Sequence, residues 1–271
     1  MLKNLFKSRL FLILLCVFLV VFIRRMVNQN RSFYEKDYKF QKVSVSDDES
    51  RIFKYTGLSP TAVRDFLESG KEDTVKELNR LYFKKPAIKK NYILFPITAE
   101  EKLEKGSTPM APLKNGDILV TFNTHTLDWR HGHLAIVTDA QSGIALEHMS
   151  VGNTSCLSYA KHWGSYPAFA VMRYPDEKIA GKAAKFAKEK LADVPYSIFA
   201  GLIEKDKSKN DKIDSSHCSH IVWQAYKAAG VDLDKGGGRI VTPKDVAMSP
   251  KLKAVQIFGL NPKDFEKRLM K

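Results

Sequence analysis

Between residues 116 and 175 the chain presents four short strand-like segments in succession, and this succession limits the fold more than any other feature. GDILVTF (116–122), HLAIVTD (133–139), GIALEHM (143–149) and AFAVMRYP (168–175) are short and rich in branched and aromatic side chains, and the second and third are joined by the turn-like AQSG. Such segments read as strands, and consecutive ones are expected to pair antiparallel. Helices follow. One is predicted from about Glu177 to Leu191, with Ala183, Ala184, Ala187 and Leu191 on one side. A second covers HCSHIVWQAYKAAG, where Ile221, Val222, Ala225, Tyr226 and Ala229 recur at helical spacing and Gly230 is a stop; the preceding serines supply an N-cap. A third begins at TPKDVAM, with Thr242 as cap, Pro243 in the first turn and Asp245 closing a capping box. Strands in succession beside a few helices make the class α+β, not a parallel doubly wound sheet. No internal repeat is present, and the GGG at 236–238 reads as loop.

Upstream, LSPTAVRDFLESGKEDTVKELNRLYFKKP carries two helix signatures. Ser59 caps the first, with Pro60 at its first position and an end near Gly70; Val75, Leu78, Leu81 and Tyr82 mark the second, which stops before Pro86. Neither can hide its own apolar face, so both are expected to pack on the domain that follows. NYILFPI (91–97) reads as a strand, and the polar stretch from Asn28 to about Ser50 reads as a tether. The divisions expected are residues 1–26 as membrane anchor or signal segment, 27–50 as tether, 51–110 as helical extension and 111–271 as the main domain.

The N-terminus has a basic start, fourteen apolar residues from Leu10 to Ile23, then Arg24 and Arg25. That pattern is an export signal or an anchor, and without a small-x-small cleavage site the uncleaved anchor is favoured. As a helix the run spans about 21 Å against a hydrocarbon core of ~30 Å, so Lys7, Arg9, Arg24 and Arg25 would have to snorkel. The body is expected outside the cytoplasm. A formal charge of +14 suits an anionic partner. Nucleic acid is not expected, because the basic residues are scattered and no zinc-finger, RNP-like or basic-zipper motif is visible. A membrane surface or an anionic envelope polymer fits better.

Cys218 lies between His217 and His220 in the first turn of its predicted helix. Unpaired amides and the positive end of the helix dipole favour a thiolate there, the form that attacks carbonyl carbon. The competing readings are a small buried core residue or a disulfide with Cys156, the other cysteine of the body.

A thiolate nucleophile needs a base, and the base needs a partner that holds its ring. His133 opens the strand HLAIVTD. On the returning strand, Glu147 has the parity that places it on the same face, directly or diagonally. Its carboxylate can accept the ring proton of His133 and stabilise the imidazolium. His148 is a rival orienting residue, but alternation puts it on the opposite strand face.

The stretches NGDILVTF, RHGHLAIVTD, ALEHMS, VPYSIF and HCSHIVWQAYKAAGVDLD, followed by TPKDVAMS, resemble the circularly permuted branch of the NlpC-type cysteine peptidase superfamily, papain-like proteins of the YiiX/YycO kind. In the unpermuted branch the cysteine precedes the histidine; here the histidine strand comes first. The resemblance covers about residues 111–250. It implies a permuted papain-like fold, in which a central antiparallel sheet or partial barrel packs against the helix bearing Cys218. By position it also implies Cys218 as nucleophile, His133 as base, Glu147 as its orienting residue and Tyr196 lining the substrate cleft. The activity implied is a cysteine hydrolase of peptidase or amidase class without a cofactor, acting on cell-wall peptide. The alternatives are an acyltransferase on an acylated lipid and an inactive envelope-binding module. The Cys218 amide is the natural oxyanion donor, and no second donor is assigned.

Zinc is the remaining reading of the histidines, since His131 and His133 alternate, His148 is near in sequence, and His217, Cys218 and His220 bunch together. Alternate residues on a strand reach one ion poorly, and neither paired cysteines nor a helical HExxH occurs, so no metal is expected. His131, His217 and His220 are read as cleft rim or capping residues, and His125, His162, Trp129 and Trp163 as shaping the cleft.

Overall fold

Strands that are apolar on both faces must be covered on both faces, and ILVT (118–121) and LAIV (134–137) are such strands. The computed structural model, which describes residues 2–32, 39–94, 97–127, 129–201, 213–262 and 265, shows how both are covered. Its elements run α1 (Leu2–Ser32), α2 (Glu49–Thr56), α3 (Pro60–Glu68), α4 (Glu72–Tyr82), β1 (Ile88–Leu94), β2 (Thr98–Leu103), β3 (Ile118–Thr121), β4 (Thr124–Thr126) and β5 (Trp129–Arg130). There follow β6 (His133–Asp139), β7 (Ile144–Glu147), β8 (Cys156–Tyr159), a 3-10 turn (Ala160–Ser165), β9 (Phe169–Arg173), α5 (Glu177–Lys190), α6 (Cys218–Ala228), α7 (Pro243–Ala247) and β10 (Lys253–Phe258).

Six strands make one open antiparallel sheet in the order β10-β9-β3-β6-β7-β8. One face carries Ile118, Val120, Leu134, Ile136 and Leu146 into a core with Ala183, Ala187, Ile221, Val222 and Tyr226 of α5 and α6. The other carries Leu119, Ala135, Val137 and Ala145 against Ile52, Ala62, Val63, Phe66, Val75 and Leu78 of α2, α3 and α4. The strand alternation therefore feeds two cores, and the molecule is α+β with helices on both faces. A second antiparallel sheet, β1-β2-β4-β5, stands beside the first.

The two expected upstream helices are α3, capped by Ser59, and α4, and both pack on the sheet as anticipated. Three features differ from expectation. Part of the segment read as tether is ordered: α1 continues to Ser32, Val43 is buried and donates its amide to Asn79 Oδ1 at 3.2 Å, and Glu49 begins α2; residues 33–38 lie outside the described residues. The stretch expected to be helical to residue 110 is helical only to Tyr82 and then forms the β1-β2 hairpin; of NYILFPI, Phe95 and Pro96 lie outside the described residues.

The third concerns the expected anchor over residues 1–26. Among the described residues no helix is long and apolar enough to cross a membrane. The apolar run itself, fourteen residues at ~1.5 Å per residue, spans about 21 Å against a hydrocarbon core of ~30 Å. Leu10 to Ile23 are nonetheless helical and exposed along their length.

Candidate active site

The first residue of α6 is Cys218, so its thiol sits at the helix N-terminus, partly exposed. The cap is not a serine but His217, whose Nδ1 accepts the His220 amide at 3.4 Å. Ser216 is one residue too early to cap; its hydroxyl meets His220 Nδ1 at 3.1 Å instead. Gly230, at φ +88°, takes the left-handed turn that releases the chain after the helix.

At the start of β6, His133 is 4% exposed. Ala135 pairs directly with Glu147, which makes His133 and Glu147 diagonal neighbours on one face, and Nε2 of the imidazole lies 2.9 Å from Glu147 Oε2. The same ring interacts electrostatically with Cys218, and because Nε2 is taken by Glu147, Nδ1 is the nitrogen left for the thiol. Trp163 stacks on the imidazole at 5.2 Å and 10°. Gly132 is in the left-handed region at φ +83°, and a Cβ there would press on the Phe122 ring; a glycine fits this approach to His133.

Burial by itself would lower the His133 pKa, but the hydrogen bonds to Cys218 and Glu147 outweigh it and raise it to about 10. Burial would likewise raise the Cys218 thiol, yet the rings of His133 and His217 hold it well below the ordinary value. Glu147 is held below the usual carboxylate range: burial opposes ionisation, and the bonds from His133 and His162 more than offset it. The directions of these shifts favour a thiolate–imidazolium pair with a buried carboxylate behind it. A thiolate so held can attack a carbonyl carbon, and the imidazolium can protonate the group that leaves.

Glu147 has more partners than the sequence suggested. Its Oε1 accepts from His162 Nε2 at 2.8 Å and from the Ser158 hydroxyl. Ser158 comes from β8, which pairs with β7 and sets Cys156 opposite Glu147. His162 and Trp163 come from the 3-10 turn that follows. His162 and Trp163 were expected only to shape the cleft; they hold the acid and the base. The signal that could have found them is distance along the chain: one strand returning antiparallel to β7 brings residues 156–163 back across Glu147.

Tyr196 reaches the same place by a different route. A parallel bridge joins it to Ser216, two residues before the cysteine, and its hydroxyl is pushed up to about 12 by burial and by the charge of Cys218. His148 meets Tyr196 edge-on at 4.9 Å, and its Nε2 is 3.3 Å from the Asn153 carbonyl, so it is not the partner of His133. His131 is bound through Thr126 Oγ1 and the Gly132 carbonyl, and burial lowers its pKa. His125 does not line the cleft: it is buried in the small sheet, 3.8 Å from Glu101. Trp129 is exposed and meets His131 edge-on at 6.2 Å. Cys156 is exposed and free, and Cys218 forms no disulfide with it. Among the described residues no group of three or more His, Cys, Asp or Glu is placed to hold a metal ion.

No protein-family model matches the chain, and no curated protein matches it. Among solved structures the chain is similar to the crystal structure of the metalloprotein yiiX from Escherichia coli O157:H7 (DUF1105), at 17% identity and a TM-score of 0.39, over 54% of this chain and 98% of that one.

Proposed function

We propose that this protein is a cysteine hydrolase of the amidase or peptidase class that works through a thioester acyl-enzyme. The observation that carries the reading is the position of His133, held by buried Glu147 at 2.9 Å on one side, with its ring coupled to the Cys218 thiol on the other. Binding alone needs no nucleophile matched to a base and an orienting acid. In the reaction the Cys218 sulfur bonds to the carbonyl carbon, and the carbonyl π pair moves onto oxygen. Collapse of that intermediate expels the leaving group, which takes its proton from His133; water activated by the then neutral His133 releases the acid and restores the thiol.

Cell-wall peptide amides are the first substrates to try. An acylated substrate is the second, favoured by Ile198 and Phe199, 56% and 59% exposed and just past Tyr196. The exposed apolar run of α1, with Arg9 and Arg24 at its ends, supports residence at a membrane face.

The test uses p-nitrophenyl acetate on the full chain with Cys16 and Cys156 replaced by serine. The expected result is a burst of nitrophenolate and an acetyl group on Cys218 by peptide mass, both lost in Cys218→Ser and His133→Ala. A parent without an acyl adduct, or one whose adduct forms equally well without His133, leaves an anchored binding module as the better account.

A further inference from the structure

Attack on a carbonyl creates an oxyanion, and an oxyanion in a closed site needs more than one donor. The Cys218 amide, first in α6, supplies one. The other is to be sought among buried donors beside the thiol that are left without a partner, because buried polar groups are nearly always bonded and an exception calls for an explanation.

His217 is such an exception. It is 6% exposed, and its Nε2 is buried with no hydrogen-bond partner among the described residues. The other ring nitrogen is committed. The His220 amide can only donate, so Nδ1, 3.4 Å away, accepts, and the ring proton sits on Nε2. The Ser219 hydroxyl lies 3.2 Å from the same Nδ1 and 2.9 Å from the Val241 carbonyl, and its single proton serves one of these acceptors at a time. His220 packs against the ring at 5.4 Å, which limits its movement. The capping bond thus holds the imidazole beside the first turn of α6 and leaves Nε2–H for the neighbouring Cys218, whose thiolate this ring also favours. A carbonyl oxygen that accepts from the Cys218 amide lies at this same helix start.

We propose that His217 Nε2–H is the second donor of the oxyanion hole, paired with the backbone amide of Cys218. His217 touches the substrate oxygen in the transition state, whereas His133 handles the protons. The proposal rests on the thiol-hydrolase reading above and adds to it a catalytic residue adjacent in sequence to the nucleophile.

The test separates oxyanion stabilisation from thiolate formation. Alkylation by iodoacetamide is displacement at a methylene carbon and makes no oxyanion; acylation by p-nitrophenyl acetate makes one. Both are measured on the full chain carrying Cys16→Ser and Cys156→Ser, at about pH 9 so that the thiolate is formed in every variant. His217→Asn keeps a good capping acceptor and is too short to place a donor where Nε2 lies. The expected result is a loss of ~10²- to 10³-fold in acylation, with alkylation within about threefold of the parent. Retained alkylation also reports that α6 and its thiol are intact. Equal losses in both reactions, or no loss in acylation, overturn the proposal. A parent that alkylates but is never acylated removes the hydrolase reading itself, so the two failures are distinguishable. His217→Gln, which can reach further, is expected to recover part of the acylation rate; recovery no better than Asn counts against a donor at that position.

Discussion

Glu147→Gln is the substitution that tests the electrostatics of the site most directly, because it removes one charge and keeps the shape. Glu147 is 3% exposed and its Oε2 lies 2.9 Å from His133 Nε2, so little water screens the pair. Two unit charges about 4 Å apart interact by ~4 kcal/mol at an effective dielectric of ~20. At ~1.36 kcal/mol per pH unit, removing that attraction in full would bring His133 down from about 10 by ~3. The carboxylate is shared with His162 and Ser158, and the amide oxygen of Gln still accepts one hydrogen bond, so a part of this is retained. Proton transfer from Cys218 to His133 therefore becomes ~10²-fold less favourable in the variant. The assay is the rate of iodoacetamide alkylation against pH, with the exposed Cys16 and Cys156 replaced by serine. The parent should alkylate at a nearly constant rate well below the ordinary thiol pKa of about 8.5. Glu147→Gln should lose between ten- and a hundredfold at about pH 6, with its midpoint moved toward 8.5. A variant indistinguishable from the parent at about pH 6 would refute the argument that the buried carboxylate maintains the ion pair.

Other consequences can be checked separately. The His133 pKa is raised on folding, so its contribution to stability is present in full below about 6.5 and is lost as pH rises through about 10. Thermal melts from about pH 7 to 11 should show an alkaline decline that is smaller in His133→Gln; identical slopes would mean that His133 is not charged in the fold. Gly57 is at φ +73°, and a Cβ there would overlap the Ile257 carbonyl, so Gly57→Ala should lower the denaturation midpoint sharply, whereas Ala at Gly70, with open space around it, should cost much less. Leu78 of α4 is fully buried in the core shared with the sheet, and Leu78→Ala should cost ~2–5 kcal/mol in denaturant unfolding. A loss under about 1 kcal/mol would mean that the helical extension is not part of the same cooperative unit.

The parts of this site that were legible in the sequence are those whose partners are close along the chain or obey a period. Helical spacing placed Cys218 in the first turn of α6, and strand parity placed Glu147 on the face of His133; the observed register, Ala135 opposite Glu147, is the diagonal case. Tyr196 reaches the thiol through a single bridge to Ser216, which no period announces; only the resemblance pointed to it. What escaped was carried by elements too short to have a period. β4 has three residues, β5 has two and β8 has four, and the turn that bears His162 and Trp163 is a 3-10 piece without a capped start.

The misplaced cap has a sharper cause. Serine is the usual capping residue, and two serines precede His217, but the helix begins where the chain first has helical dihedrals, at Cys218, and that makes its neighbour the cap whatever its identity. A histidine in that position brings a property that serine lacks. Serine uses one short hydroxyl to cap, whereas an imidazole that caps through Nδ1 still presents Nε2 on the far side of the ring. Reading His217 as a capping residue was therefore correct for half of the side chain, and the other half carries the N–H proposed above as an oxyanion donor.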